Sequence, residues 1–206
     1  MAEGHELKDL QLDALKEVAN IGAGHAATAL SQLTDRRIMI SVPEIFVAQL
    51  EDVPTRLGEE DELVVAVLMH MLGDLTGRML FTLPEDNAKL LCDLLLRRDP
   101  GQTTEFSDLE QSGLKEAGNI LGGAYMNALS DFMGMMLLPS VPSLAIDLSG
   151  TVLTTAQLSF GREKDMVFCV ETNFHFREAD QTLRGHFLLL PDVASLNTVF
   201  NAIRVS

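Results

Sequence analysis

The 206-residue sequence predicts an α+β fold with antiparallel strand pairing, written twice over in one pattern of elements. Three observations predict it. The segment LKEVANIGAG (15–24) returns as LKEAGNILGG (114–123), which sets Glu17 on Glu116 and Asn20 on Asn119 at an offset of 99 residues. The same offset sets Pro43 of SVPEIFVAQL on Pro142 of SVPSLAIDLS. In each half, helix-periodic and β-rich stretches then follow one another in the same order.

Each half opens with a long helix. In the first, Leu12, Leu15, Val18, Ala19 and Ala26 supply a core-facing side. In the second, Leu114, Ala117 and Leu121 do so, with Ile120 on the flank. A strand containing Pro43 or Pro142 comes next; proline cannot donate to a ladder, so each should lie at a sheet edge, a bulge or a strand start. EDVPTRLG and SGTVLTTAQLSFG read as a brief helix or turn. Two β-rich stretches follow in each half, ELVVAVLMHML with LTGRMLFTLP and DMVFCVETNFHF with LRGHFLLLP. Each half closes on a proline opening an amphipathic helix, PEDNAKLLCDLLL or PDVASLNTVFNAI, with an acidic residue favouring the helix dipole. The halves therefore span about 9–98 and 107–204. A repeat this long, present twice, is a duplicated domain with approximate two-fold symmetry rather than a solenoid. The linker LRRDPGQTTEFSD (96–108) is the obvious seam, yet the apolar strands and helix faces predict a shared sheet and one domain over 1–206.

Composition narrows the function classes. The apolar fraction of 47% fits a packed globular chain, and no run reaches the roughly 18–20 apolar residues of a membrane span. The amino terminus lacks the pattern of a signal peptide, which predicts a cytoplasmic protein. A formal charge of −15 argues against nucleic acid and anionic lipid as partners. Cys92 and Cys169 lie in apolar surroundings without a second ligand at metal spacing, so they read as reduced core thiols. The five histidines also lack ligand spacing, and no metal site is expected.

On a helix, Asp13, Glu17, Asn20 and Gly24 form one stripe, and Ser112, Glu116, Asn119 and Gly123 form another. A solvated polar face is the ordinary reading of any single Glu–Asn pair. Here asparagine, a residue of caps and turns, is kept in mid-helix in both copies. Glycines follow within four residues (Gly22 and Gly24; Gly122 and Gly123), and bare backbone invites close approach. The stripe thus reads as a docking surface with chemistry in it. Glutamate and asparagine make no Ser–His or Cys–His nucleophile. A carboxamide can accept and donate hydrogen bonds at once, and so hold a water in line with phosphorus.

The pattern Asp/Ser-x3-Glu-x2-Asn-x22-Pro, present as Asp13, Glu17, Asn20, Pro43 and as Ser112, Glu116, Asn119, Pro142, resembles the signature of the CheC–CheX–FliY phosphatases of chemotaxis. Two copies in register resemble the CheC branch; CheX retains one, and FliY carries a further flagellar-switch domain. The resemblance implies a pseudo-symmetric fold with an extended sheet and two exposed active-site helices. It implies hydrolysis of the aspartyl phosphate of phosphorylated CheY. Asn20 and Asn119 would orient the water, Glu17 and Glu116 would contact the receiver's lysine, and Asp13 and Ser112 would support them. Mg²⁺ would belong to the receiver, leaving this chain without a cofactor of its own, and CheD is an implied second partner. A module that binds phospho-CheY or CheD without catalysis is the alternative reading.

Other residues read as structure. His25 is taken as a partly exposed helical residue and Asn127 and Asp131 as surface. The run MGMMLLP from Met133 reads as core filling, and Arg97 and Arg98 as favourable charge at a helix end.

Overall fold

The structure, a computed structural model, describes residues 9–49, 52–53, 61–158, 166–176, 181–192, 194–195 and 198. The chain opens with α1 (Asp9–Thr34), β1 (Ile38–Ser41), β2 (Ile45–Gln49), β3 (Leu63–Gly73), β4 (Gly77–Pro84) and α2 (Glu85–Leu95). It continues with α3 (Asp108–Met133), β5 (Leu137–Pro139), β6 (Ser143–Leu148), α4 (Ser149–Leu158), β7 (Met166–Phe176) and β8 (Gln181–Pro191). The helices α1 and α3 have the same 26-residue length, with both ends 99 residues apart. They stop alike. Asp35 (φ 55°) and Gly134 (φ 64°) each turn left-handed immediately after the helix, and the Gly134 N–H caps the carbonyl of Ser130.

Among the described residues, all eight strands join one antiparallel sheet, in the order β1–β7–β8–β4–β3–β5, with β2 also on β7 and β6 also on β3. The halves exchange strands: β1 and β2 complete the edge of the second half's hairpin, and β5 and β6 complete the first's. Helices α1, α2 and α3 cover one face, over Val65, Val67, Phe81, Phe174 and Phe187. Alternate residues (Val64, Ala66, Leu80, Leu188) pack on the other face against Val152 and Leu153 of α4. Cover on both faces explains the nearly continuous apolar runs of the long strands.

The expected single strand around each motif proline is two short strands. In the first half, Val42, Pro43 and Glu44 stand opposite only Glu171 and Thr172, because the register on β7 slips by one residue between β1 and β2. In the second, Ser140, Val141 and Pro142 stand opposite Met69 and His70 on β3 with the same slip. Each proline therefore sits in a β-bulge, where its missing N–H leaves no gap in the ladder.

The linker is tied down rather than loose. The Asp93 carboxylate accepts from the N–H groups of Gly101 (2.7 Å), Gln102 (3.2 Å) and Thr103 (2.8 Å), and from the Thr103 hydroxyl (2.6 Å). Arg98, expected only to favour the helix end, pairs with buried Glu110 at 2.5 Å, and Ser107 donates to the same carboxylate. These bonds, Ser107 first and Arg98 second, hold the Glu110 carboxyl at about 2. Pro84 caps α2 from outside instead of occupying its first turn, where Glu85 and Asp86 stand as expected. Cys92 and Cys169 are buried and form no disulfide, and burial first, then the charges of Glu110 and Asp93, pushes the Cys92 thiol up to about 12. The brief helix expected at EDVPTRLG lies outside the described residues except Asp52 and Val53. Of the expected terminal helix, Pro191 instead ends β8 and Asp192 is irregular, Ala194, Ser195 and Thr198 are helical, and the rest lies outside the described residues.

Candidate functional site

The spacing of α1 puts Leu15, Val18, Ala19, Ala23 and Ala26 into the core and turns Asp13, Glu17, Asn20 and Gly24 to solvent. On α3, Leu114, Ala117 and Leu121 are buried, Ser112 and Glu116 are exposed, and Asn119 and Gly123 are half-buried. The four residues of each stripe thus share one outward face, as the sequence predicts, and the stripes occupy two separate helices. Among the described residues, the side chains of Glu17, Asn20, Glu116 and Asn119 make no hydrogen bond or ion pair within the chain. Their polar atoms are left for solvent or a partner.

The bulges lie beside the stripes. Lys16 Nζ donates to the Pro43 carbonyl at 3.4 Å, joining the first bulge to the helical turn that carries Glu17. In the second half, Met69 lies opposite the bulge and directly beneath Gly122, where an added Cβ would stand 2.6 Å from Met69 Cε. That contact sets the second bulge at the level of Gly122, next to Gly123. Pro43 is exposed and Pro142 half-buried.

The glycines divide into two groups, which corrects the reading of all four as clearance for a partner. A Cβ on Gly24 or Gly123 would meet nothing within 4 Å, so these two do face open space. A Cβ on Gly22 would come within 2.7 Å of Tyr125 Cδ1, and Gly122 sits on Met69. Those two let the helices and sheet approach one another. Tyr125 fills the notch at Gly22, stacks on Phe187 with centroids 4.6 Å apart, and shares a 3.3 Å hydrogen bond with Thr172. An apolar cavity of about 50 Å³ remains beneath α1, lined by Leu15, Val18, Tyr125, Phe168, Val170 and Leu189.

Among the described residues no cluster of His, Cys, Asp or Glu has the geometry of a metal centre, and no helix is long and apolar enough to cross a membrane. His25, Asn127 and Asp131 are exposed. His175 sits between Ser41 and Thr182, 3.0 Å from each hydroxyl. Met133 and Met135 pack partly on the core as expected, whereas Met136, Leu138 and Val141 are exposed. Lys16 and Val141 were not singled out from the sequence. The signal for Lys16 was present, since LKE stands in both copies. For Val141 there was none, because its direction depends on the bulge.

The profile of the CheC-like family matches this chain twice, over residues 10–47 and 109–146. The CheY-P phosphatase CheC of Bacillus subtilis (strain 168) is 33% identical over 202 residues, which cover 97% of each chain. The flagellar motor switch phosphatase FliY of the same organism is 26% identical over 129 residues, 62% of this chain and 33% of FliY. Among solved structures, Thermotoga maritima FliY superposes with a TM-score of 0.80 over 96% of this chain and 98% of that one. At 21% sequence identity that match speaks for the fold alone.

Proposed function

Because the chain belongs to the CheC-like family, we propose that it is a chemotaxis phosphatase that hydrolyses the aspartyl phosphate of phosphorylated CheY. The observation that carries this reading is the pair of solvent-facing Glu–Asn motifs, each with its polar atoms unused inside the chain. The B. subtilis relative named as a CheY-P phosphatase supports the substrate.

In the proposed step the receiver docks its phosphorylated aspartate against the stripe. The carboxamide of Asn20 or Asn119 accepts from and donates to one water, aiming its oxygen at phosphorus. The new P–O bond forms from water as the bond to the aspartyl oxygen breaks. The aspartate leaves as carboxylate, and the water's proton passes to the released phosphate. Glu17 or Glu116 pairs with the receiver's lysine and fixes the approach. Asp13 and Ser112 support the stripe, Pro43 and Pro142 shape its border, and Gly24 and Gly123 leave room for the docked chain. Mg²⁺, bound by the receiver, neutralises phosphoryl charge. A hundredfold acceleration requires only about 2.7 kcal/mol, within the reach of one positioned water and one ion pair. The two halves act as one duplicated domain in the cytoplasm.

The test follows loss of phosphate from Mg²⁺-bound phospho-CheY with the unsubstituted chain, Glu17→Ala/Asn20→Ala, Glu116→Ala/Asn119→Ala, and all four changes together. The quadruple variant is expected to lose all acceleration while remaining folded. Full activity there would refute the mechanism, and binding without faster decay would favour the adaptor reading. Co-purification with CheD tests the second partner that the family implies.

A further inference from the structure

The two bulges point their valines in opposite senses. Val42 in the first is buried at 5% exposure, while its counterpart Val141 in the second is 89% exposed. No other large apolar side chain among the described residues is as open. We propose that Val141 is a specificity-determining contact of the second site, docking against an apolar side chain beside the phosphorylated aspartate of the partner receiver. The proposal rests on the phosphatase reading and adds to it a difference between the two sites.

Position comes first. Met69 lies under Gly122 and opposite the bulge, so the bulge that carries Val141 stands at the level of Gly122, within one helical turn of Asn119. The residue before Val141 is pinned on β3 in a way that the first bulge is not. The Ser140 N–H donates to the His70 carbonyl (2.9 Å), and the Ser140 hydroxyl accepts from the His70 N–H (2.9 Å). Ser41, the equivalent serine, instead turns its hydroxyl to His175. A side chain already held outward loses little freedom on docking, so covering it with an apolar partner group is net favourable. The surrounding chemistry agrees. Exposed Met136 extends the apolar border where the first half has Arg37 and sets Lys16 on the Pro43 carbonyl, while Leu138 is matched by an equally exposed Met39. The second site therefore selects an apolar receiver surface that the first does not require.

Single-site proteins read this directly. In the Glu17→Ala/Asn20→Ala background, Val141→Ser should raise KM for phospho-CheY roughly tenfold, the scale of one lost buried valine contact, and leave kcat within about twofold. In the Glu116→Ala/Asn119→Ala background the same change should alter neither. Leu148→Ser, at an exposed apolar residue farther along β6, should leave KM unchanged in both. Equal KM effects in both backgrounds, an effect of Leu148→Ser as large, or an unchanged KM at an active second site would each overturn the proposal. So would an inactive second site beside an active first. An unsubstituted chain that does not hasten loss of phosphate refutes the phosphatase reading itself, and this proposal with it.

Discussion

Helices α1 and α3 present the same stripe from different seats. Under α3, Gly118 and Gly122 bring the backbone onto Val67 and Met69 of β3. Under α1, alanines replace those glycines, and a cavity of about 50 Å³ lies between Leu15, Val18 and the sheet. Where α1 has Gly22 and Ala26, α3 has Leu121 and Tyr125, and that tyrosine reaches across to Gly22. The Glu, Asn and Gly of the stripe match, while Ala19, Ala23, Gly22 and Ala26 on the inward side give way to Gly118, Gly122, Leu121 and Tyr125. Packing has many solutions as long as volume is conserved, whereas the proposed docking of one receiver at either face would tolerate few.

The largest test of this difference removes the wedge. Tyr125→Ala should cost about 3–5 kcal/mol in urea unfolding, since the ring is 3% exposed and stacked on Phe187. A loss below 1 kcal/mol would mean that the helices do not depend on it. Next comes a pair of glycines two residues apart. Gly22→Ala drives a methyl into Tyr125 and should cost about 1–3 kcal/mol, whereas Gly24→Ala should be neutral or stabilising by up to about 1 kcal/mol. If the two behave alike, the seat described for α1 is wrong.

A third test compares the central strands, where Thr82 of β4 faces His186 of β8. Burial first, then Arg184, lowers the His186 pKa to about 4. Between about pH 6.5 and 4 the unfolded chain therefore binds a proton that the native one refuses, and stability falls as pH falls through that window. The loss should reach at most about 3 kcal/mol, and His186→Leu should flatten it in pH-dependent unfolding. Below about pH 4.5 the low carboxyl of Glu110 adds a second decline towards pH 2, which Glu110→Gln should remove. The smallest effect belongs to Lys16→Ala. Its exposed 3.4 Å contact should matter by less than about 0.5 kcal/mol to stability, and any change in turnover should appear only at the first site.

The stripes, their buried counterparts and the element order were legible in the sequence because each is a local matter of period and spacing. Leu15, Val18, Leu114 and Leu121 are core and Glu17 and Glu116 are exposed for the same reason, the pitch of the helix. Partner choice was not legible. Nothing local tells β1 to pair with β7 rather than with a strand of its own half, since both long hairpins offer similar apolar edges. The prolines announced an interruption, but the same register slip occurs in both halves, and only the packing around each bulge leaves one valine buried and the other exposed. Asp93 and Glu110 look like ordinary helix acids until the linker folds back onto one and Arg98 reaches the other.

The exchanged strands carry a consequence for assembly. A half-length chain with this pattern would expose an unpaired edge on its long hairpin and hold a strand pair with nowhere of its own to dock. Two identical halves would satisfy each other only as a dimer, at a population set by dilution. Joining them through residues 96–108 makes that encounter intramolecular, so the complete sheet forms at any cellular abundance. Once joined, the two copies of the stripe are free to change independently.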